Sequence, residues 1–89
     1  MTDWELRVAA SAERVLPRLP QGIAAAIVEF MVGPLLDDPY RVGKPLRREL
    51  AGYWSARRGA YRIVYSIDAE QRSVRVVRIE HRADVYRTR

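Results

Sequence analysis

Residues 53–81 constrain the chain more than any other stretch. They hold three runs of strand period joined by connections of only two and six residues. Tyr53 to Arg58 reads as the first strand, Tyr61 to Ile67 as the second and Val74 to His81 as the third. Connections that short reverse the chain, because a parallel crossover needs a dozen or more residues. The sheet is therefore expected to be mostly antiparallel. Gly59 at the first position of the Gly59-Ala60 loop is the signature of a type II′ hairpin. That register sets Arg57 opposite Arg62 and Ser55 opposite Val64 on one face. On the other, the expected core side, Trp54 and Ala56 meet Tyr65 and Ile63. Tyr61 belongs with these aromatics at the core or its rim. The third run carries Val74 and Val76 on one parity and Val77 and Ile79 on the other. Such a strand is either buried on both faces or bulged near Val77, and a central place in the sheet fits it best.

The front half has room for little more than the cover of that sheet. Trp4, Leu6 and Val8 alternate with Glu5 and Arg7, the period of a half-buried strand. Ser11 suits a helix N-cap and Glu13 a first turn, with Val15, Leu16 and Leu19 along one face; Pro17 predicts a break near Leu16. A second helix starts with Pro20 at its first position, carries the stripe Ile23, Ile27, Phe30 and Met31, and stops at Gly33-Pro34. Two such helices form a hairpin. From Leu35 to Glu49 the residues Asp37, Asp38, Pro39, Gly43 and Pro45 predict an irregular loop bearing Arg41, Lys44, Arg47 and Arg48. The expected architecture is α+β, in the order β-α-α-β-β-β, with the helices on one face of the sheet and residues 1–89 forming one domain.

A core this thin has no obvious staple. Without cysteine there is no disulfide scaffold and no thiolate site, and the lone histidine, His81, has no second imidazole to share a metal. No metal or other cofactor is expected. The least charged stretch, Leu19 to Leu36, is interrupted by Pro20, Gly22, Glu29, Gly33 and Pro34, so no membrane span or export signal is expected and the cytoplasm is the expected compartment.

The charge is unevenly spread. Residues 1–44 hold five basic side chains and six acids; residues 45–89 hold eleven and five, so the whole net charge of +5 comes from the second half. Between Arg41 and Arg62 seven cations face one acid, Glu49. Fifteen of the sixteen cations are arginine, whose planar fork matches phosphate. A coding bias accounts for arginine over lysine, but not for the clustering.

Two arginines directly opposite each other cost roughly 0.2–1 kcal/mol, and no acid in their own two strands offsets Arg57 and Arg62. A phosphate across that face reverses the sign; two side chains splayed into water explain the spacing equally well. His81, at the end of the third strand on the parity of Val77 and Ile79, is either a packing residue or a general acid or base, with Arg82 next to it to stabilise developing negative charge. Tyr86 is either a core aromatic or a residue that stacks on a base.

The run Lys44-Pro45-Leu46-Arg47-Arg48-Glu49-Leu50, then Gly52 to Gly59, Tyr61-Arg62-Ile63-Val64-Tyr65, Ile79-Glu80-His81-Arg82 and Val85-Tyr86 resembles toxins of the RelE/ParE type, most closely an actinobacterial RelE branch. The resemblance covers essentially the whole chain. It implies a RelE-like fold, a toxin of a type II toxin–antitoxin system that enters the ribosomal A site and cuts mRNA, and a small antitoxin, encoded adjacently, that neutralises it. The implied chemistry is metal-free: the ribose 2′-hydroxyl attacks the adjacent phosphate, leaving a 2′,3′-cyclic phosphate and a 5′-hydroxyl. On that reading Arg62 stabilises the scissile phosphate and His81 is the acid or base. Arg57, Arg82 and Tyr86 contact phosphate and bases, Arg58 lies in the same basic patch, and Lys44, Arg47 and Arg48 meet ribosomal RNA. Where the best-known RelE enzymes carry strand lysines this chain has Tyr53 and Ser55, which leaves Glu49 or Glu80 as the substitute general base.

The free toxin is expected to be a monomer. Two other functions are open at this point: a ParE-like inhibitor of DNA gyrase that cuts nothing, and a basic module that lies on RNA without activity.

Overall fold

The structure, a computed structural model, describes residues 3–85. Strand β1 (Glu5–Val8) leads into a single helical turn, α1 (Ala10–Glu13), and a 3-10 turn at Leu16–Arg18. Helix α2 (Gln21–Val32) and the short α3 (Pro34–Asp37) follow. Then come β2 (Lys44–Pro45), a 3-10 turn at Arg48–Leu50, β3 (Tyr53–Arg58), β4 (Tyr61–Asp68), β5 (Ser73–His81) and α4 (Arg82–Val85). The five strands make one sheet in the order β1-β5-β4-β3-β2.

The meander of β3, β4 and β5 has the expected strands and turns. Gly59 has a φ of +58°, as the first position of the predicted hairpin demands. Arg57 pairs with Arg62, Ser55 with Val64, Ala56 with Ile63 and Trp54 with Tyr65. Between β4 and β5 the register slips: Val64 pairs with Arg78 and Tyr65 with Val76, which leaves Val77 as a bulge. The bulge returns Ile79 to the face of Val74 and Val76, so the core face of β5 is apolar from Val74 to Ile79. The strand is interior as well, because β1 runs parallel along its other side, Leu6 beside Val74 and Val8 beside Val76.

Four expectations need correction. Ser11 does not cap the first helix; Ala9 stands there without a side-chain cap, and the Ser11 hydroxyl donates to the carbonyl of the bulged Val77 at 2.8 Å. The first arm of the helical hairpin is only a turn of α-helix and a turn of 3-10 helix, broken where Pro17 removes an N–H. Pro20 occupies the cap position rather than the first helical one, and Ile23 is 36% exposed, while Ile27, Phe30 and Met31 hold the buried stripe. The segment from Leu35 to Glu49 is not wholly irregular. It buries Leu35 and Leu36 in α3 and adds β2 at the sheet edge, Lys44 against Ser55 and Pro45 against Trp54. A proline is tolerated there because an edge residue owes the ladder no N–H.

The core lies between the helical layer and one face of the sheet. Ala12, Ile27, Phe30, Met31, Leu35 and Leu36 meet Ala56, Ile63, Tyr65, Val74, Val76 and Ile79. Each large aliphatic side chain buried this way contributes roughly 1.5–3 kcal/mol. Tyr65 is fully buried, and its hydroxyl donates to the carbonyl of Pro39 at 2.7 Å. Burial, with the Asp38 carboxylate adding to it, pushes the Tyr65 pKa up from 10.0 to about 12. Tyr40, from the same loop, meets Trp4 and Trp54 edge-on, with ring centres 6.0 and 5.5 Å away. Among the described residues no helix is long and apolar enough to cross a membrane.

Candidate functional site

Alternation along β3, β4 and β5 decides which side chains leave the core. On the face away from the helices β4 presents Arg62, Val64 and Ser66; β3 presents Tyr53, Ser55 and Arg57. After the bulge β5 presents Arg78 and Glu80 there. Val64 is buried although it faces away from the helical core; with Leu50, Tyr53, Val77 and the arginines Arg62 and Arg78 it lines a cleft of about 310 Å³. The cleft therefore has an apolar floor and a cationic wall.

Arg62 is anchored rather than loose. Its Nε and Nη2 donate to Glu80 Oε1 at 3.3 and 3.0 Å, and Arg78 Nη1 donates to Glu80 Oε2 at 3.2 Å. Side-chain exposure is 27% for Arg62 and 19% for Glu80, so solvent screens this pair less than an ordinary surface pair. Glu80 thus supplies, from a third strand, the acid missing from the two strands that carry Arg57 and Arg62. That corrects the expectation of uncompensated repulsion. Among the described residues the Arg57 side chain has no ion pair or hydrogen bond.

His81 takes the parity of Ile79, beside Tyr61 and on the face opposite Arg62. Its ring meets that of Tyr61 edge-on, centres 5.0 Å apart, and its Nδ1 accepts the Ala83 N–H at 3.0 Å. A neutral imidazole so held carries its proton on Nε2. Arg82 follows at the start of α4, exposed, with its N–H on the Ala60 carbonyl at 2.7 Å. A substrate touched by both Arg62 and His81 must pass over the Tyr61–His81 end of the β4–β5 ladder, beside the β3–β4 hairpin.

The remaining candidates scatter. Arg58, next to Arg57, points to the helical side: its guanidinium lies 3.9 Å over the Phe30 ring and Nη1 donates to the Arg57 carbonyl at 2.8 Å. The structure thus removes it from the basic patch. Lys44 stands opposite Ser55 on the open face. Arg47, Arg48 and Glu49 are exposed at the 3-10 turn entering β3, where Arg48 adopts a left-handed φ of 60°. Tyr86 lies outside the described residues. Arg78 was missed by the sequence reading, since unbroken alternation puts it under the helices; the parity switch between Val76 and Ile79 was the signal. Arg41 and Ser11 carried no local signal for their places at the open face.

The chemistry available is that of anion recognition and proton transfer. Among the described residues no three His, Cys, Asp or Glu side chains meet at one point, whereas guanidinium groups and hydroxyls line the cleft, and the one imidazole, His81, lies on the other face at the strand end. Such a surface positions a phosphodiester and stabilises added charge on it.

Comparisons agree with this geometry. The family described as ParE toxin of type II toxin-antitoxin system, parDE, matches residues 6–86. The chain is 55% identical to Toxin RelG of Mycobacterium tuberculosis over 84 residues, covering 94% of this chain and 97% of that one. To Toxin RelE of the same organism it is 51% identical over 84 residues, 94% of this chain and 87% of that one. The solved toxin–antitoxin complex RelBE2 of Mycobacterium tuberculosis contains a chain that superposes with a TM-score of 0.87 at 54% identity, covering 94% of this chain and 97% of that one.

Proposed function

The chain belongs to the ParE toxin family of type II toxin–antitoxin systems, and from that premise we propose that it is a ribosome-dependent endoribonuclease that cuts mRNA in the A site. The observation that carries the proposal is the Arg57–Arg62 pair on the open face, with Arg62 pre-aimed by Glu80 above an apolar floor. A phosphodiester is the natural third partner of two guanidinium forks facing each other.

The reaction needs little from the protein because RNA brings its own nucleophile. The scissile phosphate takes the place of Glu80 on Arg62, and the freed Glu80 oxygen accepts the proton of the 2′-hydroxyl as that oxygen bonds to phosphorus. Glu49, exposed and next in sequence to Leu50 of the cleft lining, is the second candidate for this base. Arg62 stabilises the extra negative charge of the transition state, an effect worth about 2.7–4 kcal/mol for a well-placed donor. The bond from phosphorus to the 5′-oxygen then breaks. His81 serves as an Nε2–H donor to that oxygen and, once charged with the Ala83 contact given up, protonates it. Arg82, at the same strand end, adds positive charge, and Tyr86 is the expected base-stacking residue. The products are a 2′,3′-cyclic phosphate and a 5′-hydroxyl, and no metal is required at any step.

Arg47 and Arg48 suit ribosomal RNA. A small antitoxin encoded next to the toxin gene is the proposed partner, by analogy with the RelBE2 complex, and the free toxin is proposed to be a cytoplasmic monomer.

The family description carries the ParE name, and the second reading is the ParE-like one, an inhibitor of DNA gyrase that cuts nothing. One experiment separates them: express the chain without antitoxin, map mRNA 5′ ends, and repeat with Arg62→Ala. Growth arrest with codon-linked cuts that vanish in the variant supports the nuclease. Arrest with DNA damage and intact mRNA supports the gyrase inhibitor and overturns the nuclease.

A further inference from the structure

We propose that the cleft at the β2 edge of the sheet is a second phosphate subsite, which holds a backbone phosphate of the single-stranded mRNA flanking the cut. The proposal deepens the nuclease reading and rests on it for the identity of the strand.

The cleft has a volume of about 670 Å³, and Arg41, Lys44 and Arg57 line it with Ser55 and no acidic residue. Its cations differ from those around Arg62. There, one carboxylate serves two arginines. Here, among the described residues, none of the three side chains has an ion pair or hydrogen bond. The acid closest in sequence, Asp38, accepts the Tyr40 N–H at 3.2 Å and is not part of the cleft wall. Three like charges gathered at one concavity repel each other, and folding gains nothing from that arrangement. A bound anion turns the same arrangement favourable.

The wall is also rigid. Gly43 packs so closely that a Cβ there would collide with the Tyr65 hydroxyl and lie 2.8 Å from the Ser55 carbonyl. That hydroxyl is pinned to Pro39, so the loop carrying Arg41 is tied to the core. Binding therefore requires little loop ordering.

Arg57 connects this cleft to the cut. It lines the cleft and stands opposite Arg62 in the ladder, about 5 Å away between backbones. A strand whose scissile phosphate sits on Arg62 continues over Arg57 toward Lys44 and Arg41, and a nucleic-acid backbone repeats its charge along such a line.

The test uses a short 2′-O-methyl RNA, which lacks the nucleophile and is not cut, with binding followed by fluorescence anisotropy across a salt series. Removing both loop cations in Arg41→Gln/Lys44→Gln should release the one phosphate of the subsite and flatten the log-affinity against log-salt slope by about 0.7, with a smaller change for Lys44→Gln alone. Thermal melts establish that both variants fold, as substitutions at exposed positions should. An unchanged slope overturns the subsite. So does a slope that changes only when ribosomes are present, since the occupant is then ribosomal RNA. The two readings fail separately: wild-type protein that cuts mRNA with the slope unmoved sinks the subsite alone. A flattened slope in a protein that cuts nothing leaves the subsite standing and sinks the nuclease.

Discussion

The two faces of the sheet use the same strands and treat their cations differently. Arg58, on the helical side, spends its guanidinium on the Phe30 ring and the Arg57 carbonyl. Arg57, one residue earlier and on the open side, spends its own on nothing within the described residues. The helical side satisfies itself: Ile63, Tyr65, Val74 and Val76 are fully buried, and the Tyr65 hydroxyl has its acceptor. On the open side Glu80 answers Arg62 and Arg78, while among the described residues Arg57, Lys44 and Arg41 are left unmatched. Stability accounts for the first face and does not account for the second. A surface that gathers charge without needing it for folding marks where a partner of opposite sign belongs.

Neighbouring residues of β4 test that division most directly. Ile63→Ala, on the core face, should destabilise by about 2–5 kcal/mol, lowering the melting temperature by at least about 8 °C while the folded fraction still binds RNA. An unchanged melt would show that the helices do not lean on this face. Arg62→Ala, one residue away, should do the reverse: mRNA cleavage measured in a translating extract falls by about 10²–10³-fold, and the melt barely moves because Glu80 keeps Arg78. Loss of folding and cleavage together would erase the distinction between the faces.

Tyr65→Phe probes the tie between the core and the loop of the second cleft. Leaving the Pro39 carbonyl without its donor should cost about 1–3 kcal/mol. It should also remove a pH dependence. The fold holds Tyr65 neutral with a pKa of about 12 against 10.0 when unfolded, so its contribution is complete below pH 10 and lost as pH rises toward 12. Urea midpoints across that window should fall more steeply for wild type than for the variant; parallel curves would refute the assignment. The smallest effect is expected at Arg57→Gln. Relief of the repulsion that Glu80 leaves between Arg57 and Arg62 should stabilise the fold by no more than about 0.2 kcal/mol, the low end for a facing like-charged pair, while oligonucleotide binding weakens. A variant that binds as well as wild type would show that the open-face charge is idle.

The residues that were legible in advance share one property: their cause is local. Gly59 names its turn by the φ it alone tolerates cheaply, and the turn then sets Arg57 opposite Arg62. Pro17 breaks a helix wherever the rest of the chain goes. The parity switch from Val76 to Ile79 leaves two readings, burial on both faces or a bulge near Val77, and the ladder with β4 decides for the bulge. By contrast, β2 is two residues long and exists only because β3 offers an edge. Ser11 finds Val77 across 66 positions of sequence, and Arg62 finds Glu80 across 18.

Sequence alone therefore determined the meander, the register of its first hairpin, the long helix and the concentration of arginine in the second half, since period, turn chemistry and charge are properties of short segments. Tertiary structure alone decided which arginines are answered and which are left for a ligand. A guanidinium's partner depends on which strand lies next to it and which way a bulge has turned that strand, and neither is written within a few residues of the arginine itself.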